Sequence, residues 1–202
     1  HYVINGSKTY ITNGQNADMV IVVAKTDPDK GAKGTSLILV DAGTPGFSKG
    51  RNLDKIGQNS ADTSELFFED VRVPITNCLG EENKGFVYLM SQLPQERLGI
   101  AVSAMGGAQR AFDEAVKFVK ERKAFGKTVF DFQNTRFLLA DLKAKLQVGW
   151  AHLDVCIGKH MRGELDAYEG AAAKLFHTEL QWEICDVALQ LHGGAGYMNE
   201  YP

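Results

Sequence analysis

The sequence predicts an α+β chain: an antiparallel β-sheet domain, barrel- or sandwich-like, over residues 1–79, then an antiparallel helical bundle over residues 80–202. Three observations predict it. Short β-branched and aromatic runs fill the first part, apolar residues recur at helical spacing in the second, and the one shift of composition falls near residue 80. With 202 residues, 44% of them hydrophobic, the chain can bury one sizeable core or two modest ones.

Taken in order, Tyr2-Val3-Ile4 and Thr9-Tyr10-Ile11-Thr12 flank Asn5-Gly6, a pair that takes the positive φ angles of a tight hairpin. Met19–Ala24 and Thr35–Val40 are short, apolar and β-branched, and read as inner strands on either side of the polar loop Asp27–Gly34. Glu65–Val73 mixes alternation with a buried pair and stops at Pro74, which has no N–H for a ladder. Connections this short dictate antiparallel pairing.

Past Asn77 the period changes. Phe86, Leu89, Met90 and Leu93 mark one helical face, continued by Ile100, Met105, Phe112, Val116 and Val119 to Arg122. This is one long helix, or two joined at Pro94. After the connector Lys123–Lys127, a second helix is predicted over about residues 130–160 with Leu138, Leu142, Leu146, Leu153 and Ile157 inward. A third is predicted over about residues 165–191, stopped by Gly193-Gly194.

Composition excludes several classes. Lys and Arg number 22 against 25 Asp and Glu, a formal charge of -3, so no basic field awaits nucleic acid or anionic lipid. No run approaches the roughly 18 apolar residues of a membrane helix. Cys78, Cys156 and Cys185 lie far apart, without disulfide or zinc spacing, which fits a reducing compartment. Opening on His1 and stopping at Tyr201-Pro202, the chain reads as an excised piece.

Among candidate residues, Glu96 and Arg97 follow Pro94-Gln95 in mid-helix and point about 100° apart, so on composition alone Glu96 is a solvated carboxylate. Gln190–Tyr197 is glycine-rich but follows a helix, whereas a dinucleotide fingerprint opens one. These glycines serve either as a helix C-cap or as a place where backbone amides approach a diphosphate. His152, His160 and His177 lack metal-ligand company and are assigned structural or surface roles, and Tyr168-Glu169-Gly170 reads as an exposed stretch.

Several separated segments, in this order, resemble the acyl-CoA dehydrogenase family. They are Tyr10–Gly14, Asp62–Pro74, Glu96-Arg97, Arg122–Gly126 with Gln133, and Gln190–Tyr197 leading to Glu200-Tyr201-Pro202. Leu93-Pro94-Gln95-Glu96-Arg97-Leu98 is most similar to the long-chain and isovaleryl-type branches and their bacterial relatives.

The resemblance implies a flavoprotein whose middle β-domain and C-terminal four-helix domain clasp FAD in a dimer or a dimer of dimers. Family members take an α-proton from an acyl-CoA thioester with a carboxylate while the β-hydrogen leaves as hydride to flavin N5. The product is the trans-2-enoyl-CoA, and the electrons pass to an electron-transferring flavoprotein. By the same resemblance Glu96 matches the base, with Pro94, Gln95 and Arg97 around the substrate. Tyr10 and Thr12 would line the flavin ring, and Arg122, Phe125, Gln133, Gln190, Gly193 and Gly194 would hold the ADP half, in large part a neighbouring subunit's. Tyr168-Glu169-Gly170 stands on the wrong side of the glycine turn to supply the base. The family's N-terminal helical domain and last helices have no counterpart in these residues. The compartment implied is a bacterial cytoplasm or a mitochondrial matrix. Competing readings are an acyl-CoA oxidase or flavin monooxygenase of the same superfamily, and a non-catalytic acyl-CoA-binding or assembly protein.

Overall fold

The computed structural model describes residues 1–201, so Pro202 of the Glu200-Tyr201-Pro202 segment lies outside the described residues. The chain divides into two units, His1–Met90 and Ser91–Pro202. As the sequence predicts, antiparallel sheets come first and helices second.

In the first unit, β1 (Tyr2–Thr12), β5 (Thr63–Val73) and β4 (Phe47–Asn52) form one antiparallel sheet in that spatial order, and β2 (Met19–Lys25) pairs with β3 (Thr35–Asp41) in a second. Their inner faces share one core of Ile4, Val22, Ile38, Val40, Phe47, Leu66, Phe68, Val71 and Val73. Along β5 the buried positions step by two, then by three between Phe68 and Val71. A bulge explains the odd step. Glu69 and Asp70 together oppose Asn5, with Asp70 at φ 50°. The Asn5 amide donates to Asp70 Oδ1 (3.0 Å) and accepts from the Asp70 N–H (2.8 Å). Without the extra residue Val71 and Val73 would turn to solvent.

That bulge also corrects the predicted hairpin at Asn5-Gly6. Both flanks of the pair find their partner in β5, so β1 runs through as a single strand. Of the two predicted inner strands only β3 is one: Leu79 and Asn77 bond to its second edge, at Leu37 O (2.8 Å) and Leu39 O (2.9 Å). β2 is half-buried, leaving Met19, Ile21 and Val23 exposed on one face. Of the expected buried pair, Phe68 is inside and Phe67 faces out. β4 escapes prediction because an edge strand reading Phe-Ser-Lys-Gly-Arg-Asn buries only Phe47, stacked on Phe68 at 4.9 Å.

In the second unit α1 (Gly85–Glu121), which starts in the first, runs unbroken through Pro94, and α2 (Gln133–Met161) and α3 (Ala167–His192) follow. Their buried seams alternate three and four: Leu98, Ala101, Met105, Ala108, Phe112, Ala115, Val119 on α1; Leu139, Leu142, Leu146, Gly149, Leu153, Cys156 on α2; Gly170, Ala173, His177, Leu180, Ile184 on α3. This is the spacing of left-handed helix packing. Five residues predicted on the apolar helical faces are exposed: Phe86 and Met90 early in α1, and Ile100, Leu138 and Ile157, which lie beside the seam. Small residues, which hydrophobic patterning passes over, hold the positions where helices come closest. Gly170 is one: a Cβ there would sit 3.0 Å from Pro94 Cα and O, so Tyr168-Glu169-Gly170 is not simply an exposed stretch. Glu169 closes a capping box with Asp166 and pairs with Lys159.

His177 is fully buried on the α3 seam, its ring nitrogens 2.6 Å from Ala173 O and 3.0 Å from Gly149 O. The ring of His152 stacks on it at 5.2 Å. Burial first, and the neighbouring His177 second, hold the His152 imidazole below its ordinary value, against a smaller opposite pull from Glu169. An unfolded histidine titrates near pH ~6.5, so the unfolded chain takes up a proton there that the folded one refuses. The stability present above pH ~6.5 is therefore lost as pH falls toward the depressed folded value. Thermal unfolding of the intact protein between pH 7.5 and 5.5 is expected to show a falling Tm, and His152→Phe to flatten the slope by a few degrees. Identical slopes in both proteins would exclude the pair as the cause.

Candidate active site

In the first unit Tyr10 and Thr12 lie where β1 deforms. Thr9 and Tyr10 together oppose Glu65 of β5, and across the sheet Gly50 and Arg51 of β4 oppose the same residue. Tyr10 sits at φ 61° with its ring 78% exposed. A left-handed backbone costs an L-residue about 1–2 kcal/mol, and here it turns an aromatic ring outward instead of into the core. Bulges at strand ends commonly re-aim side chains in this way. Thr12 borders a depression of about 430 Å³ with Lys55, Ile56, Gly57, Gln58 and Thr63. Sequence reading passed over this Lys55–Gln58 loop, whose exposed Ile56 beside a glycine is the visible signal.

In the second unit Glu96 is exposed and makes no side-chain hydrogen bond or ion pair with the described residues. Leu98, about 200° around the helix, faces the core, so Glu96 lies on the outward face of α1. Gly99, one turn on, leaves open space beside it. The desolvated carboxylate that proton abstraction calls for is therefore not supplied by the helical unit itself. Arg97 is half-buried and without a charged partner among the described residues. Pro94 is half-buried against Gly170, and Gln95 is exposed.

The remaining candidates gather at one end of the bundle. Lys123–Ala124 (β6) and Lys127–Thr128 (β7) form a hairpin whose two loop residues, Phe125 and Gly126, both have positive φ (54° and 79°), as a type I′ turn requires. Phe125 is 95% exposed and meets Phe132, next to Gln133, edge-on at 6.4 Å. Arg122 ties to both sides, donating its N–H to Phe118 O and accepting from Val129, each at 2.8 Å. Phe118 stacks at 4.2 Å on His192, the last residue of α3. Gly193 then ends α3 at φ 58°, its N–H bonded to Gln190 O. Gln190, Gly193 and Tyr197 border a depression of about 280 Å³.

The structure thus brings Arg122, Phe125, Gln133, Gln190, Gly193 and Gly194 to one end of the helical unit, while Pro94–Arg97 lies far along α1. Glu96 and Glu121 are separated by about 38 Å at 1.5 Å per residue. The side chains of Thr12, Arg122, Gln133 and Gln190 have no partner among the described residues, and open space stands where Gly193 and Gly194 would carry a Cβ. Within the helical unit, free guanidinium and amide donors beside bare backbone are a donor set that suits the diphosphate half of a flavin dinucleotide. The residues present fit that group. Among the described residues no three His, Cys, Asp or Glu side chains gather as metal ligands, and no helix is long and apolar enough to cross a membrane.

Both parts of the chain match known proteins. Residues 1–71 match the acyl-CoA dehydrogenase middle domain and residues 83–202 the acyl-CoA dehydrogenase C-terminal domain. The long-chain specific acyl-CoA dehydrogenase of Mus musculus mitochondria is 50% identical over 203 residues, covering 100% of this chain and 47% of that protein. A subunit of the caffeyl-CoA reductase-Etf complex of Acetobacterium woodii is 42% identical, over 100% of this chain and 53% of its own length. The crystal structure of an acyl-CoA dehydrogenase from Geobacillus kaustophilus superposes with a TM-score of 0.96 at 46% identity, over 99% of this chain and 53% of that one. The chain spans about half the length of these relatives, and with both of its parts matched it belongs to the acyl-CoA dehydrogenase family.

Proposed function

We propose that the protein is an FAD-dependent acyl-CoA dehydrogenase, in which Glu96 removes the α-proton of an acyl-CoA thioester and the β-hydrogen leaves as hydride, giving the trans-2-enoyl-CoA. The observation that carries this reading is the unpartnered carboxylate of Glu96 on the outward face of α1, with clear space over Gly99. A base spent on a protein cation would have to break that pair first. FAD, when bound, supplies the acceptor for the hydride.

Each residue then has a physical task. An α-proton of a thioester is a poor acid, so the carboxylate must be stripped of water and held at the carbon. Since the helical unit leaves Glu96 open, the bound acyl chain and cofactor do the stripping, which ties proton removal to a filled site. Arg97 balances charge beside the base. Tyr10 covers one face of the flavin ring and the Thr12 hydroxyl bonds its polar edge. Arg122 offers a planar fork to pyrophosphate, Gln133 and Gln190 bond the ADP half, Phe125 packs on it, and Gly193 and Gly194 let backbone approach.

The span along α1 between Glu96 and the Arg122 cluster is longer than one dinucleotide reaches. The ADP-binding cluster therefore serves a cofactor whose ring lies at a neighbouring protomer's base, and the working form is a dimer or a dimer of dimers. The relationship to a subunit of an Etf complex supports an electron-transferring flavoprotein as the partner that reoxidises the flavin.

The test is anaerobic mixing of the intact, FAD-loaded protein with acyl-CoAs of graded length and branching. Bleaching of the flavin absorbance, with slow reoxidation in air, is expected. Rapid peroxide formation would make the protein an oxidase, and acyl-CoA binding without bleaching would make it a non-catalytic carrier.

A further inference from the structure

We propose that Lys49 and Asp62 are positioning residues that clamp the Asn13–Ala17 turn and so hold Tyr10 and Thr12 in the attitude the flavin ring needs. The inference rests on the flavin placement proposed above and adds two residues that do not touch the cofactor.

The argument starts from backbone conformation. Two non-glycine residues within four positions, Tyr10 at φ 61° and Asn13 at φ 63°, are left-handed. Burial does not hold Tyr10, whose ring is exposed. Such conformations persist only where the surroundings over-determine them, and they cluster at functional sites. What over-determines this one lies just beyond Thr12. The Asp62 carboxylate accepts from the Gln15 N–H (2.7 Å) and from the Asn16 amide (3.0 Å), while its main-chain carbonyl takes the Asn13 N–H (3.1 Å). From the other side the Lys49 ammonium donates to the carbonyls of Gln15 (2.8 Å) and Ala17 (2.7 Å). The Gln15 side chain donates to Gly50 O at 2.6 Å.

Gln15 is thereby held at its N–H, its carbonyl and its side chain, by Asp62 just ahead of β5 and by Lys49 and Gly50 of β4. An anion serves the turn's donors and a cation its acceptors, neither being spent on the other. Burial alone would push the Asp62 carboxyl up, but the hydrogen bonds from Gln15 and Asn16 outweigh it and hold it below the usual carboxylate range. A Cβ on buried Gly14 would lie 2.4 Å from Ser64 Oγ, so the turn cannot slide inward either. Joining β1 to β2 needs a turn, but not one fastened from two sides, by Asp62 and by Lys49, immediately after a left-handed, outward-facing tyrosine.

The experiment compares Asp62→Ala, Asp62→Asn, Lys49→Met and Tyr10→Ala in the intact FAD-loaded protein. Readouts are the FAD dissociation constant, visible circular dichroism of the flavin, and hydrogen exchange of the peptide spanning residues 9–18. Asp62→Ala and Lys49→Met are expected to weaken FAD binding at least tenfold, alter the visible dichroism and speed exchange of the peptide tenfold or more. Asp62→Asn is expected to restore most of the binding, since its oxygen still accepts from Gln15 and the Asn16 amide can turn over. If exchange speeds while binding and dichroism hold, with Tyr10→Ala still weakening FAD, the clamp serves only the fold and the proposal falls while the flavin placement stands. If Tyr10→Ala leaves FAD untouched, the placement fails and takes the proposal with it.

Discussion

Glu96→Gln in the intact protein is expected to lower kcat by about 100- to 10,000-fold, the range usual for loss of a positioned base, while FAD stays bound and KM for acyl-CoA changes little. Glutamine keeps the length and shape of the side chain and removes only its ability to accept a proton. Because Glu96 is exposed and unpartnered, the fold has nothing to lose, and the stability change should stay within about 0.5 kcal/mol, as for surface substitutions generally. Turnover that falls without loss of colour or stability isolates the chemical step. Near-normal turnover would assign the base to another carboxylate. Single-turnover bleaching of the flavin reads the same step directly and excludes product release as the source of the effect.

Leu146→Ala is expected to destabilise the helical unit by about 2–5 kcal/mol, the span measured for buried leucine truncations, and to lower Tm by roughly 10 °C. Leu146 is fully buried at mid-length of α2, in the cluster with Met105 of α1 and Leu180 of α3. The cavity left behind would be lined by all three helices, so no single side chain can relax into it. Leu138→Ala, at a position that hydrophobic periodicity alone puts inward, should cost clearly less than Leu146→Ala, because Leu138 is 36% exposed and leaves no closed cavity when truncated. Equal losses in the two variants would mean that the α2 seam is misassigned by one residue.

Much of the candidate site could be read from residue identity. Tyr10, Thr12, Glu96, Arg122, Gln133 and Gln190 are quotable from the chain because their chemistry sits in the side chain itself. Less legible were the features that depend on backbone shape. Asn5-Gly6 has the letters of a hairpin turn, yet its neighbours pair with a strand about 65 residues away, and no local rule weighs that competition. Glu96 shows the same limit at the site: its letter supplies a carboxylate, but whether water reaches it depends on what packs over that face of α1. Lys49 and Asp62 were invisible as partners of one turn, since 34 and 47 residues separate them from Gln15.

From the amino-acid order alone followed the class of fold, the turnover from sheets to helices near residue 80, the three long helices and the family resemblance. Periodicity and motif spacing are local properties, written within a few residues of one another. Only the tertiary structure decided which helix faces meet, that β2 is an edge, that Tyr10 is swung outward by a bulge opposite Glu65, and that the turn after it is bonded by Lys49 and Asp62. Those outcomes hang on contacts between residues distant in sequence, whose energies are settled only when the chain has brought them together.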